Sequence, residues 1–301
     1  MKSILLTGLH SYIGDSVEAY LQEYHKKPGK EVYRTEKISL RGEEWKQADF
    51  GRFDAILHVA GLAHADVGRV SEEEKKRYYE TNCDLAEEAA RKAKADGAGQ
   101  FIYMSSVIVY GDSAKVGGTK HITGDTLPAP ADFYGDSKWQ AEQRLTQLAS
   151  EDFSVAIVRT PMVYGRGSRG NYPLLCKLAD KMPVFPKVGN ARSMIYIENL
   201  AEFLRLLVES GEGGIFWPQN REYTDTGVMV KLIRESRGKK MRLWSIGRPF
   251  VYLASRLPGK PGKLVNKAFG SLTIEQELSN RRITGYQLYS LEESIRRTHE
   301  G

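Results

Sequence analysis

Four short apolar runs, each stopped by Gly, Ser or Thr, constrain this chain more than any other feature. They read ILLTG, DAILHVAG, FIYMSS and VAIVRT. Consecutive apolar residues suit strands covered on both faces, since a half-exposed strand alternates instead. Between the second and third runs lies 71-SEEEKKRYYETNCDLAEEAARKAKADG-97. Ser71 and Glu74 make a capping box, and Gly97 is a stop signal. Tyr79, Cys83, Ala86, Ala90 and Ala93 recur at spacings of four and three, which is one face of a single helix. Strand and helix in this rhythm predict an α/β fold, a Rossmann-type doubly wound parallel sheet. Ligands of such sheets sit beyond the carboxyl ends of the strands, so residues just after each run are the functional candidates.

The second half is less regular. Pro173, Pro183, Pro186, Gly213, Gly214 and Pro218 punctuate it, and a helical pattern covers roughly 198–209. The expected division is a doubly wound domain over 1–165 and a smaller C-terminal, substrate-facing lobe over 166–301, with the segment around 193–210 free to pack back on the first domain. At 301 residues and 41% hydrophobic, the chain has material for a substantial core.

Charge and cysteine use remove several classes. Cys83 and Cys176 are the only cysteines, so there is no disulfide framework and no paired-cysteine metal site. His10, His58, His64 and His121 lack metal-ligand spacing, and no metal is expected; His64 is a minor candidate for substrate contact. No apolar run approaches transmembrane length or resembles a leader, which makes the expected location cytoplasmic. The net charge of +6 permits phosphorylated ligands without calling for nucleic acid, and no nucleic-acid module accompanies it. The stretch 236–274 holds nine Lys and Arg and no acid. It reads first as a basic rim around a diphosphate pocket and second as contact with an anionic membrane surface.

The first run leads into TGLHSYIG. Gly8 permits the torsions of a tight strand-to-helix turn, and Gly14 permits close packing of helix on sheet. The helix amino end offers unpaired N–H groups to a pyrophosphate. Ser11 takes the place of a middle glycine, losing some room and gaining a hydroxyl donor. The third run ends at Ser105-Ser106, and 133-FYGDSKWQAEQRLTQLA-149 follows. Tyr134 and Lys138 are four apart, hence on one helix face, which continues through Ala141, Leu145 and Leu148 toward the core. An ammonium near a phenol lowers the phenol's pKa. The phenol can then exchange a proton with a sugar or alcohol hydroxyl while a nicotinamide exchanges hydride, and a serine hydroxyl can hold the same oxygen.

Taken together, TGLHSYIG, ADF (48–50), ILHVAGLAH, YETNCDLAEEA, YMSSVIVYG, YGDSK, VRTPMVYG and NARSMIYIENLAEF resemble the extended short-chain dehydrogenase/reductases, in the nucleotide-sugar epimerase, dehydratase and reductase group. The resemblance covers residue 3 to about 203. It implies Ser106, Tyr134 and Lys138 as the catalytic set, with Lys138 also binding the nicotinamide ribose. Gly8, Ser11, Tyr12, Ile13 and Gly14 would hold the dinucleotide, Asp49 and Phe50 would flank the adenine, and Ala60 and Gly61 would line the cofactor, with Asn82 supporting the site. Asn171 falls where relatives approach uracil, and Arg192 where they grip the diphosphate. Val107 and Ile108 follow Ser106 where the 4,6-dehydratases carry an acidic pair, which argues against dehydration. The cofactor is NAD if the second strand ends early and presents Glu36, or NADP if it runs on and presents Arg41; the lean is to NAD. The implied reaction is 4-epimerisation of a UDP-hexose or UDP-N-acetylhexosamine, with a 4-keto reductase as the alternative and a non-catalytic dinucleotide-binding regulator behind it. A homodimer through the helices carrying Asn82 and Tyr134 is the family expectation.

Overall fold

The computed structural model describes residues 1–63 and 70–300, so His64 lies outside the described residues. Six parallel strands form one sheet. Across it they run Gly214–Phe216, Ser154–Thr160, Gln100–Ser106, Ala55–His58, Lys2–Thr7 and Tyr33–Ile38. The four apolar runs are four of these strands, buried nearly throughout because helices cover both faces. Lys2–Thr7 has the chain's next strand on one side and Ala55–His58 on the other. The strand order reverses there, and a doubly wound sheet opens its ligand crevice at such a point.

The chain forms two compact units, each discontinuous in sequence. One takes Met1–Gly111, Leu127–Thr160 and Leu200–Pro218; the other takes Asp112–Thr126, Pro161–Asn199 and Gln219–Gly301. The first holds the six-stranded sheet and a core that includes Leu5, Ile56, Phe101, Tyr103, Ala141 and Leu145. Its last segment, the helix Ile197–Ser210 from Leu200 on and the edge strand Gly214–Phe216, completes one border of the sheet. The second unit contains three two-stranded parallel ladders, joining Thr119–Ile122 to Ser271–Ile274, Met162–Tyr164 to Met194–Tyr196, and Val184–Pro186 to Arg242–Trp244. A buried polar cluster fixes its interior: the Tyr164 hydroxyl meets Ser294 Oγ at 2.6 Å and accepts from Asn220 Nδ2 at 2.8 Å.

The expected helix over 71–97 starts and stops as read. Ser71 Oγ accepts from the Glu74 N–H at 3.1 Å, and Gly97 ends it at φ 91°. It is not one regular helix, however. A π-turn, Glu80–Asp84, separates Glu72–Tyr79 from Leu85–Asp96. The wider turn absorbs an extra residue, so the buried face shifts by one position: Tyr78 rather than Tyr79 is buried, followed by Asn82 and Cys83 together.

Candidate active site

The opening turn and the loop after Ala55–His58 abut at the switch point. Gly8 has φ 118°, and a Cβ there would lie 3.3 Å from both Cα and N of Ala60. Only glycine meets both conditions without strain. A Cβ on Gly14 would come 3.0 Å from Val59 Cγ2, which is the close helix-to-sheet approach expected of it. Ser11 is the N-cap of the helix Tyr12–His25, accepting from Gly14 N–H at 3.4 Å. Its hydroxyl therefore serves the helix as an acceptor. Ile13 is half-buried, and burial pushes the Tyr12 phenol well above its ordinary pKa.

The next loop runs straight into the candidate catalytic groups. A Cβ on Gly61 would lie 3.1 Å from Asn82 Oδ1 and 3.3 Å from Lys138 Nζ. Asn82 is fully buried on the π-turn. Its Oδ1 accepts from Leu62 N–H at 2.8 Å, and its Nδ2 donates to the Leu62 carbonyl and to Ser137 Oγ, both at 3.1 Å. Ser137 Oγ in turn donates to the Tyr134 carbonyl at 2.9 Å. The helix Phe133–Thr146, capped by Asp132 on Gly135 N–H at 2.8 Å, is thus tied through the π-turn to the loop at Gly61. Neither Ser137 nor the π-turn announces itself in the sequence; the YETNCDLAEEA stretch has ordinary helix composition.

Ser106 ends its strand in extended conformation with its Oγ accepting from Ile108 N–H at 3.3 Å, and its hydroxyl pulls the Tyr134 phenol's pKa down. Lys138 is buried. Its Nζ donates to the Met104 carbonyl at 2.9 Å and sits 4.5 Å from the centre of the Tyr103 ring. Burial draws the Lys138 ammonium down to about 8, against the opposing pull of Glu142. Tyr134 differs from the expectation. Its phenol is pushed up to about 12 by burial and by Tyr78 and Asp132, while the Ser106 hydroxyl acts the other way. Lys138 is engaged by the Met104 carbonyl and the Tyr103 face, so its charge does not set the phenol's pKa in this state.

Behind these groups lies a buried ion pair that no sequence motif announces. Arg159 Nη2 meets Glu142 Oε2 at 2.6 Å with both side chains nearly inaccessible, and Ser105 Oγ donates to the same carboxylate. Arg159 Nη1 also donates to the Tyr110 hydroxyl, at 2.5 Å, and Trp217 Nε1 donates there at 2.9 Å. Glu142 stands four residues beyond Lys138, and that spacing was the available signal. His58 is also buried here: Nδ1 is 3.0 Å from Thr7 Oγ1, and its ring packs between Phe101 and Tyr103. Burial first, then the Lys138 charge, push it down to about 3 against the Ala60 backbone.

Two adenosine-side expectations need correction. Phe50 is fully buried among Trp45, Lys92 and the core, and its N–H donates to Asp96 Oδ2 at 2.8 Å. Ring and N–H are both consumed by the protein's own packing, and of this pair only Asp49 is exposed. Glu36 is not at a strand end, because the strand continues to Ile38, whose carbonyl accepts from Gly8 N–H at 2.8 Å. Its carboxylate instead pairs with Arg34 at 2.7 Å and Arg52 at 2.5 Å. Arg41 is exposed three residues beyond the strand.

In the second unit, Asn171 is exposed at the amino end of Tyr172–Lys181. Arg192 is half-buried, and Nη1 donates to the carbonyls of Lys267, at 2.6 Å, and Gly270, at 3.2 Å. Burial lowers its pKa. Part of the expected diphosphate grip is therefore spent closing the end of a neighbouring helix.

A nicotinamide dinucleotide suits the residues present: glycines stand where a side chain would strike Ala60, Asn82 and Lys138. The fold and these groups define the class, an NAD(P)-dependent enzyme of the extended short-chain dehydrogenase/reductase type. The model of the NAD dependent epimerase/dehydratase family matches residues 4–217, and the chain belongs to that family. A UDP-glucose 4-epimerase of Vibrio cholerae is 27% identical over 251 residues, 81% of this chain and 75% of that protein. The N-acetyl-alpha-D-glucosaminyl-diphospho-ditrans,octacis-undecaprenol 4-epimerase of Escherichia coli O157:H7 is 30% identical over 230 residues, 74% of this chain. The match spans 66% of the E. coli protein's length, just under two thirds. Among solved structures, the UDP-glucuronic acid 4-epimerase of Bacillus cereus in complex with NAD has a TM-score of 0.70 at 15% identity, covering 99% of this chain and 97% of that one. The dTDP-4-dehydrorhamnose reductase of Bacillus anthracis in complex with NADP has a TM-score of 0.70 at 19% identity, covering 99% and 98%. At these identities the two structures establish the fold.

Proposed function

We propose that this chain interconverts the C4 epimers of a nucleotide sugar, a UDP-hexose or UDP-N-acetylhexosamine, through a 4-keto intermediate. The observation that carries the reading is the buried Lys138 against the Gly61 loop, on the helix of Tyr134 that Ser137 and Asn82 tie to that loop, with the Ser106 hydroxyl acting on the Tyr134 phenol. In this mechanism Tyr134 acts as phenolate, a form that the Lys138 ammonium favours once it turns from the Met104 carbonyl toward the phenol. It takes the proton of the C4 hydroxyl while Ser106 holds the same oxygen and stabilises the charge that develops there. A bound nicotinamide dinucleotide supplies the hydride acceptor and donor. Tyr134 returns its proton to the C4 oxygen once the hydride has gone back to the other face, so no proton or hydride is lost. Gly8, Ser11, Ile13 and Gly14 would hold the pyrophosphate, Gly61 and Lys138 the nicotinamide end, Asp49 the adenine. Arg41 rather than Glu36 would meet the adenosine ribose, which favours NADP over the NAD first expected. Asn171 and the remaining capacity of Arg192 would face the nucleotide of the substrate.

The test is stoichiometric. Purified chain should equilibrate two C4 epimers, read by NMR, without net change in added dinucleotide. One NAD(P)H oxidised per product, with a keto sugar required, would instead make it a reductase. Tyr134→Phe should lower turnover by about 100-fold or more; unchanged turnover would remove Tyr134 from the mechanism. A second reading concerns the carrier alone. The E. coli relative's name specifies a polyprenyl diphosphate, and exposed Phe250 and Leu253 in this chain favour a lipid-linked sugar. Competition between UDP-sugar and polyprenyl-diphosphate sugar separates the two.

A further inference from the structure

Ile246, Phe250, Leu253 and Leu257 succeed one another at spacings of four, three and four, the period of one helix face. Such a stripe ordinarily faces a core. These four side chains are instead 70%, 66%, 67% and 51% exposed, and every residue of the helix Arg248–Ala254 is at least partly exposed. Leu264, on the following helix Lys260–Phe269, is 61% exposed. Around them Arg242, Arg248, Arg256, Lys263 and Lys267 are exposed, within a stretch that holds no Asp or Glu from 236 to 274.

The two helices are pinned from the opposite side. Asn266 Nδ2 donates to the carbonyls of Ser255, at 2.8 Å, and Gly262, at 2.9 Å, and its Oδ1 accepts from Val116 N–H at 2.9 Å. Arg192 holds the carboxyl end of the second helix through the Lys267 carbonyl, and the Tyr252 ring lies where a Cβ on Gly117 would be, at 3.1 Å. These bonds fix which side faces outward, so the stripe does not turn inward by a simple roll.

We propose that this surface, from Trp244 to Phe269, docks the chain on an anionic lipid bilayer, the apolar stripe entering the headgroup boundary and the basic side chains meeting lipid phosphates. The charge decides among occupants. A second copy docking through the same face would oppose like charges across the interface, which costs affinity. An anionic bilayer complements both the charge and the apolar side chains. None of the described helices is long and apolar enough to cross a membrane, and the proposed contact is made by the surface stripe alone.

The test is co-sedimentation of the full chain with vesicles of phosphatidylcholine alone and of phosphatidylcholine with phosphatidylglycerol. Binding should occur to the anionic vesicles only and weaken as salt is raised, because exposed charges are screened. Phe250→Glu with Leu253→Glu should weaken it by about tenfold or more while melting temperature stays unchanged. If that variant melts early, Arg248→Glu with Lys263→Glu tests the electrostatic half at positions where little packing is at stake. Absence of binding, equal binding to neutral and anionic vesicles, or variants that bind like the parent would overturn the proposal. So would self-association through this face, seen by sedimentation velocity without vesicle binding. Binding is the readout, so the result is independent of which reaction the first unit performs.

Discussion

His58 shows how far a single buried side chain binds this fold to pH. It contacts Thr7, packs against Phe101 and Tyr103, and feels the Lys138 ammonium, so burial and that charge disfavour its charged form and outweigh the opposing Ala60 backbone. Its pKa drops from an ordinary 6.5 to about 3. Between those values the unfolded chain takes up a proton that the folded chain refuses, so stability is full above pH 6.5 and falls as the pH is lowered. The slope is about 1.4 kcal/mol per pH unit within that window. His58→Phe should therefore flatten the acid side of a plot of unfolding free energy against pH, whatever constant cost it adds by leaving Thr7 unpaired. Urea titrations at several pH values between 4 and 7 check this; parallel curves for parent and variant would show that His58 does not carry the dependence. Sequence alone placed this histidine at a strand end but gave no measure of its burial, because burial comes from Phe101 and Tyr103 in another strand. The burial of Phe50 is hidden in the sequence for the same reason. Its neighbours Trp45, Lys92 and Asp96 come together only in the fold.

The elements that were easy to read are those whose chemistry is local. Doubly covered strands show as unbroken apolar runs, caps as Ser71 and Asp132, stops as Gly97, and the Tyr134–Lys138 pair as a spacing of four. The π-turn was not legible, because it changes hydrogen-bond partners without changing composition. Its effect is specific all the same: it buries Asn82 and Cys83 side by side and aims the Asn82 amide at Leu62 and Ser137. Deleting Thr81 would let the segment close into a regular helix, removing the wider turn that presents Asn82 to the Gly61 loop. The expected outcome is a folded protein whose Asn82 no longer bridges the Gly61 loop and the helix of Tyr134, with dinucleotide affinity lowered about tenfold or more. Isothermal titration with the dinucleotide, beside far-UV circular dichroism to confirm folding, reads both halves. Unaltered affinity would make the π-turn a packing feature only.

At the scale of the molecule, the first unit recovers a piece of chain from beyond residue 165. Leu200, Phe203, Leu204 and Leu207 are all buried, and Gln100 Nε2 donates to the carbonyls of Leu207 and Glu212, both at 3.0 Å. Arg205 meets Glu202 at 2.7 Å and the Tyr33 hydroxyl at 2.9 Å, and the Tyr20 hydroxyl donates to Glu202 at 2.8 Å. Returning four large apolar side chains to water costs roughly 6–12 kcal/mol at about 1.5–3 kcal/mol each. That matches the entire net stability of a typical domain, roughly 5–15 kcal/mol. A fragment ending at Gly165 should therefore fail to fold, although it contains five of the six strands and all of Ser106, Tyr134 and Lys138. Joining residues 197–218 to it through a flexible linker should restore cooperative urea unfolding, because the helix and edge strand regain their places. A fragment over 1–165 that unfolds cooperatively by itself would show that the returning segment decorates the sheet rather than completing it.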